Sequence, residues 1–220
     1  MAGKSTVQWH LKLRMPSPWL IKGGSDRATA NASALTDLLG YPYIPASTIK
    51  GQLRHQHRLL SSIHPQLKNW ETFFFGESGI RHGHLYITDA TLTHPLHPEQ
   101  LRQYRSRIAI DRKRKVVSDQ ALLTEEVIIP GIELGSELMC YVPPDQTASA
   151  AAILTLCILN IRSIGSSKSI GYGHLRFRYH DDQANPSPDD STVQVVIDNC
   201  PWTYDRFLKA VRSTAELQNP

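Results

Sequence analysis

Between Ala148 and Ile161 the sequence reads ASAAAILTLCILNI, with no charged residue in the run. A helix over this stretch is apolar all round, so the fold or a neighbouring subunit has to cover it on every side. It is too short to span a bilayer, which points to a buried core helix and a protein without membrane partners. The run leads at once into SIGSSKSIGYGHLRF, Ser163–Phe177, which holds three glycines, four serines and one lysine. Glycines gather where a backbone comes close to something else. Two familiar phosphate loops are excluded by order: the P-loop and the dinucleotide fingerprint both run from a strand into a helix, and this loop runs from a helix into a strand.

The 220 residues are 40% hydrophobic and 20% charged, enough for one large domain with appendages. The opening MAGKSTVQWHLKLRM alternates polar and apolar residues and has no apolar leader core. Cys140, Cys157 and Cys200 are odd in number and widely spaced, two of them within apolar stretches, as expected of reduced thiols in a cytoplasmic protein rather than of disulfides or a zinc site. Three of the 24 Lys/Arg and seven of the 20 Asp/Glu lie in residues 181–220, leaving 21 cations against 13 anions, a surplus of 8, in residues 1–180. A basic body with an acidic tail favours polyanionic partners.

Hydropathy patterning places a half-buried strand over STVQWHLKLR, residues 5–14. A loop from Pro16 to about Tyr43 follows, too long for a simple connection and therefore expected to be functional. The segment IPASTIKGQLRHQHRLLSSI predicts a helix with Ser47 as its N-cap. Its apolar stripe is Ile49, Leu53, Leu60 and Ile63, with Lys50, Arg54 and His57 on a neighbouring stripe. FFFGESG, residues 73–79, reads as a packing turn and GHLYITDATL as a second strand. RSRIAIDRKRKVVSDQALLTEEVIIPG is an arm or β-hairpin over about residues 105–130, with four consecutive cations, Arg112, Lys113, Arg114 and Lys115, near its middle. IELGSELMCYV is a strand, the apolar helix and glycine loop follow, and GHLRFRY closes the series. With insertions set aside the order is βαββαβ, an α+β ferredoxin-like (RRM-like) core. This domain spans residues 1–180. Residues 181–220 form an acidic linker and a short C-terminal extension with a strand VQVVID and an amphipathic helix.

IPASTIKGQLR at the first helix, FFG shortly after it, the arm with its IDR element and the late IGSSKSIGYGHLRF together resemble the RAMP superfamily of CRISPR proteins, and within it the thumb-bearing backbone subunits of type III effector complexes. The similarity spans most of residues 5–180. Ala46 and Ser166 stand where that family carries glycines. The resemblance implies a subunit that binds CRISPR RNA and complementary target RNA in antiviral defence, alongside other RAMP subunits and a large subunit. It places Ser47, Lys50 and Arg54, and Gly165, Ser166, Lys168, Ser169, Gly171 and Gly173, at the guide backbone. His57 on the same helix, and Arg107 and Arg112 to Lys115 in the arm, are further candidate RNA contacts. A capped helix terminus, flanking glycines and cationic side chains are the physical ingredients of a phosphate site.

The resemblance also implies an aspartate in the long first loop that cleaves target RNA. Asp26 and Asp37 are the carboxylates there, with Asp26 the candidate metal ligand and Mg2+ or Mn2+ the implied cofactor of an endoribonuclease. Two alternatives stay open: a subunit of the same complex that binds without cutting, and a stand-alone CRISPR RNA-processing endonuclease. Of the other constellations, His82 and His84 form a strand-spaced pair without a third ligand. Phe73, Phe74 and Phe75 suit a core better than a base-stacking platform. Ser163, Ser166 and Lys168 lack a placeable base, which argues against hydrolase chemistry.

Overall fold

The computed structural model describes residues 4–23, 32–94, 96–111, 116–181 and 187–216. Strand β1 (Ser5–Arg14) buries Val7, Trp9, Leu11 and Leu13 on one face, the period of two that its sequence dictates. Helix α1 (Ala46–Ile63) and the short α2 (Lys68–Phe75) follow, then a hairpin of β2 (Gly76–Glu77) and β3 (Arg81–His82). The expected second strand is divided into β4 (Leu85–Ile87) and β5 (Thr91–Leu92), both paired with β8. The arm is β6 (Arg102–Asp111) against β7 (Val116–Ile128), and it leads into β8 (Glu133–Val142). Helix α3 (Thr147–Leu159), β9 (Phe177–Tyr179), β10 (Ser191–Ile197), β11 (Cys200–Trp202) and α4 (Tyr204–Glu216) complete the chain.

The sheet runs β11-β10-β1-β8-β4, and every neighbouring pair along that path is antiparallel. With β10 as fourth strand, the order is fourth, first, third, second, as a βαββαβ chain with two crossovers produces. The strand beside β1 corrects the sequence reading. GHLRFRY closes the series in the sequence, yet only Phe177–Tyr179 of it forms a strand, and that strand pairs parallel to β10 at Ser191–Val193. The place beside β1 goes to STVQVVI from the acidic extension. Its Val193 and Val195 are fully buried, and the Ser191 hydroxyl exchanges hydrogen bonds with both backbone groups of Arg14. Two tail carboxylates help to dock it: Asp190 pairs with Arg178 at 2.5 Å, and Asp198 accepts from the Thr6 amide.

Helix α3 packs against β1, β10, α1 and α4, which is how a helix without a polar face is accommodated. Trp9 on β1 donates its indole N–H to Thr155 on α3 at 3.0 Å, both residues fully buried, so the one polar atom of each is satisfied inside the core. Over α3 lies α4, whose Phe207 stacks on Tyr179 and meets the edge of Trp202. Among the described residues no helix is long and apolar enough to cross a membrane.

Helix α1 departs from expectation at both ends. Pro45, not Ser47, is its N-cap, and the Ala46 amide is taken by Asp89 Oδ1 at 2.7 Å, a carboxylate from between β4 and β5. A negative charge there suits the helix dipole, which is why a distant aspartate serves as well as a local serine. The inward ridge is Ile49, Leu53, His57 and Ser61, while Leu60 is partly buried and Ile63 is exposed. Phe74 and Phe75 of α2 supply the surface for that ridge, meeting the His57 ring edge-on at 6.3 and 5.9 Å. The aromatic run is therefore core rather than platform, and it ends a helix at Gly76, whose φ of 75° only glycine adopts readily.

Burial drives the Cys140 and Cys157 thiols up to about 12, whereas Cys200 is exposed. A thiol-reactive disulfide reagent will therefore titrate one of the three cysteines in the native protein and all three after denaturation.

Candidate nucleic-acid interface

Three segments widely separated in sequence meet along residues 18–22. On one side Trp19 and the arm residue Ile128 exchange both backbone hydrogen bonds, at 3.2 and 2.9 Å. On the other side the glycine loop docks: Ser166 N–H donates to Leu20 O at 2.7 Å and Gly173 N–H to Pro18 O at 2.8 Å. The long first loop folds back on itself here, with Gly23 N–H donating to Ser33 O and Leu35 N–H to Ile21 O. Glu126 N–H of the arm then bonds Ala32 O at 2.8 Å. Both ends of the segment that contains Asp26 are thus fixed at the root of the arm. Asp26 itself lies outside the described residues.

The glycines of the loop differ in what they are for. A Cβ on Gly173 would stand 1.9 Å from Ile164 O, and one on Gly165 would stand 2.6 Å from Leu20 O; both residues have positive φ. These two glycines let the chain approach itself, not a phosphate, which corrects the sequence reading of the loop. Gly171 also has positive φ, 87°, but opens on empty space. It ends the exposed 3-10 turn Lys168–Ile170, where Lys168 and Ser169 face solvent. The turn, rather than the whole loop, is what remains available to a ligand.

Two arginine–glutamate pairs set the arm root. Arg107 reaches Glu125 at 2.5 Å, and Arg105 and Arg107 both lie over the Tyr172 ring, at 5.9 and 6.0 Å, so the arm rests on the glycine loop. Arg102 pairs with fully buried Glu126 at 3.2 Å and also donates to Gly40 O at 2.6 Å. Arg112, Lys113, Arg114 and Lys115 lie outside the described residues. Of the two loop aspartates, Asp37 is exposed and its Oδ1 accepts the Leu39 and Tyr41 amides at 2.9 and 2.8 Å, closing a local turn.

On α1, Ser47 is exposed in the first turn and Lys50 half-buried. Arg54 is held within the fold: it donates to Gly76 O at 2.5 Å, pairs with Glu71 at 3.4 Å and sits over Phe75 at 5.6 Å. Glu71 also binds Arg58, whose hydrogen bond holds the carboxyl below its usual range. His57 is not an RNA contact. It is fully buried, its Nδ1 is 3.4 Å from the Ser61 hydroxyl, and burial lowers its pKa. The stripe angle placed it beside Lys50 and Arg54, but the ridge that α2 covers turns it inward. His84 stacks on Phe73 at 4.6 Å. Among the described residues no three His, Cys, Asp or Glu side chains converge as metal ligands. The sequence reading missed Asp89, Arg102 and Tyr172; of these only Tyr172, set between two glycines, carried a local signal.

Residues 12–176 match the family model of the RAMP superfamily. No curated protein matches the chain by sequence. Among solved structures, a chain in the cryo-EM structure of the Type III-B Cmr-beta bound to cognate target RNA shares the fold, with a TM-score of 0.61 and 16% identity over 77% of this chain and 96% of that one. A chain in the structure of the Type III-B Cmr-beta apo state gives a TM-score of 0.60 and 15% identity, covering 76% and 95%.

Gly173→Ala will cost about 3 kcal/mol by urea denaturation, because the added carbon overlaps a carbonyl, while Gly171→Ala will cost about 1 kcal/mol for its backbone conformation alone. Stability will also fall with acid through His57. Its folded pKa lies below the ordinary 6.5, so under that pH the unfolded chain binds the proton more readily, and the loss continues down to the folded value. Removing the imidazole by His57→Gln flattens that part of the stability–pH curve.

Proposed function

This chain belongs to the RAMP superfamily, and on that premise we propose that it is a CRISPR RNA-binding backbone subunit of a type III RNA-guided effector complex. The observation that carries the reading is the unit built along residues 18–22, where the arm root, the glycine loop and both ends of the long first loop are joined by backbone hydrogen bonds. In such a subunit the exposed Lys168–Ser169 turn and the first turn of α1, with Ser47 and Lys50, contact the guide backbone, where contact is by charge and N–H donors without regard to base identity. The arm, whose sequence carries Arg112 to Lys115 between β6 and β7, reaches across to guide and target. The basic surplus of residues 1–180 is available to RNA, while the tail carboxylates Asp190 and Asp198 are engaged by Arg178 and the Thr6 amide. The fold neighbours belong to an assembly described with target RNA, which is consistent with neighbouring protein subunits and RNA as partners.

Cutting of the target is assigned to Asp26, in the segment whose ends are pinned at the arm root. Asp37 is the weaker candidate because its Oδ1 already serves two amides. The described residues offer no ready cage of carboxylates, and a hard ion such as Mg2+ or Mn2+ needs none when RNA phosphates and water complete its shell. Asp26 is therefore the one protein carboxylate assigned to such an ion.

Native mass spectrometry of the chain purified from its host, with sequencing of the bound RNA, tests the binding role. The expected result is a multi-subunit particle holding short RNAs with a common repeat-derived 5′ end; an RNA-free monomer overturns the reading. In that particle Asp26→Ala will abolish cutting of target RNA opposite this subunit, as EDTA does, without loss of guide RNA. Retained cutting in both the Asp26→Ala and Asp37→Ala particles makes the chain a binding subunit only.

A further inference from the structure

Between α1 and the β2–β3 hairpin lies a groove of about 410 Å³ that Lys50 and Arg54 share with a hairpin not assigned so far. Lys50 and Arg54 line one wall; Gly76, Ser78, Arg81 and His82 line the other. The hairpin wall is rigid for a reason visible in its backbone. A Cβ on Gly76 would stand 2.4 Å from Arg81 O, and one on Gly83 would stand 2.3 Å from Phe74 O, so the strands close as tightly as glycine allows. Arg54 then ties Gly76 O to α1 at 2.5 Å, fixing the wall to the helix. The turn between the strands is held by Ile80 N–H donating to Glu77 O, and Gly79 at its tip opens on empty space. Arg81 and His82 are exposed. The groove thus exists before any ligand enters, with Lys50 on a helix and Arg81 on a short, braced hairpin, which limits the ordering cost of binding.

We propose that this groove binds a phosphodiester of single-stranded RNA, with Arg81 as an additional phosphate-binding residue opposite Lys50 and His82 beside it. The proposal rests on the RNA-binding reading above and extends it to a hairpin outside that reading. The first amide of α1 is already taken by the Asp89 carboxylate, so a phosphate in this groove is met by side-chain cations rather than by that amide. Chemistry favours RNA over an acidic protein segment. The rim also carries Glu77 and Ser78. RNA brings both an anionic phosphate for Arg81 and Lys50 and a 2′-hydroxyl donor for Glu77, whereas an acidic peptide side chain brings an anion without that donor.

The test compares the full chain with Arg81→Gln and with Lys209→Gln, which removes the same charge from an exposed position on α4. Binding of fluorescein-labelled poly(U) is followed by anisotropy between about 50 and 200 mM salt. Thermal melting checks that both variants fold. The expected result is that Arg81→Gln weakens binding about tenfold and lowers the salt slope by about 0.7, the share of one single-strand phosphate contact, while Lys209→Gln matches the wild type. If wild type binds and the two variants behave alike, the groove assignment is wrong and the RNA-binding reading stands. If wild-type protein does not bind poly(U), both fail. Should poly(L-glutamate) bind wild type and lose affinity on Arg81→Gln while poly(U) does not, the groove belongs to an acidic protein segment and the proposal is overturned.

Discussion

All four backbone carbonyls of residues 18–21 are engaged by other segments, and the organisation of the candidate interface follows from that. Trp19 gives both its backbone groups to the arm; Pro18 and Leu20 give their carbonyls to the glycine loop; Ile21 gives its carbonyl to Leu35. Each of these bonds is modest alone, but leaving one unmade in a buried position would cost about 1–3 kcal/mol. The segment therefore fixes the arm root, the loop and the return of the long first loop at once. It also explains two glycines, because neither Gly165 nor Gly173 could carry a side chain against neighbours this close.

Charge is divided in the same economical way between holding the fold and meeting a ligand. Arg54 and Arg107 are candidate RNA contacts in the sequence, but each is engaged by a glutamate, as Arg102 is, and Arg54 and Arg102 are also held by a backbone carbonyl. A guanidinium in that setting braces an element, and its truncation would leave a carboxylate without its cation. Arg81, Lys168 and the serines Ser47 and Ser169 face solvent, and Lys50 is half-buried beside them. This division separates positions that set geometry from positions that set affinity.

The acidic extension is joined to the sheet it follows. Its strand lies beside β1, its helix covers α3, and the aromatic group of Tyr179, Trp202, Tyr204 and Phe207 packs where the two meet. The apolar helix posed the question of what covers it, and α4 is the answer within the same chain.

What the sequence determined by itself is what local physics controls. The alternation over Ser5–Arg14, the unbroken apolar run of α3, the β-branched arm and the order of elements were all legible, and so was the family, because ordered motifs survive where side chains do not. Tertiary structure decided the rest. Which strand sits beside β1 depends on pairing across most of the chain, and three extended residues of GHLRFRY cannot compete with seven of STVQVVI. His57 turned inward because Phe74 and Phe75 cover its side of α1, a fact no periodicity contains. Asp89 displaced Ser47 as the cap because a carboxylate from the sheet reached the helix N-terminus. The same holds for the glycines: their spacing announced a close approach, but only the folded chain shows that the partner at Gly165 and Gly173 is the protein's own backbone.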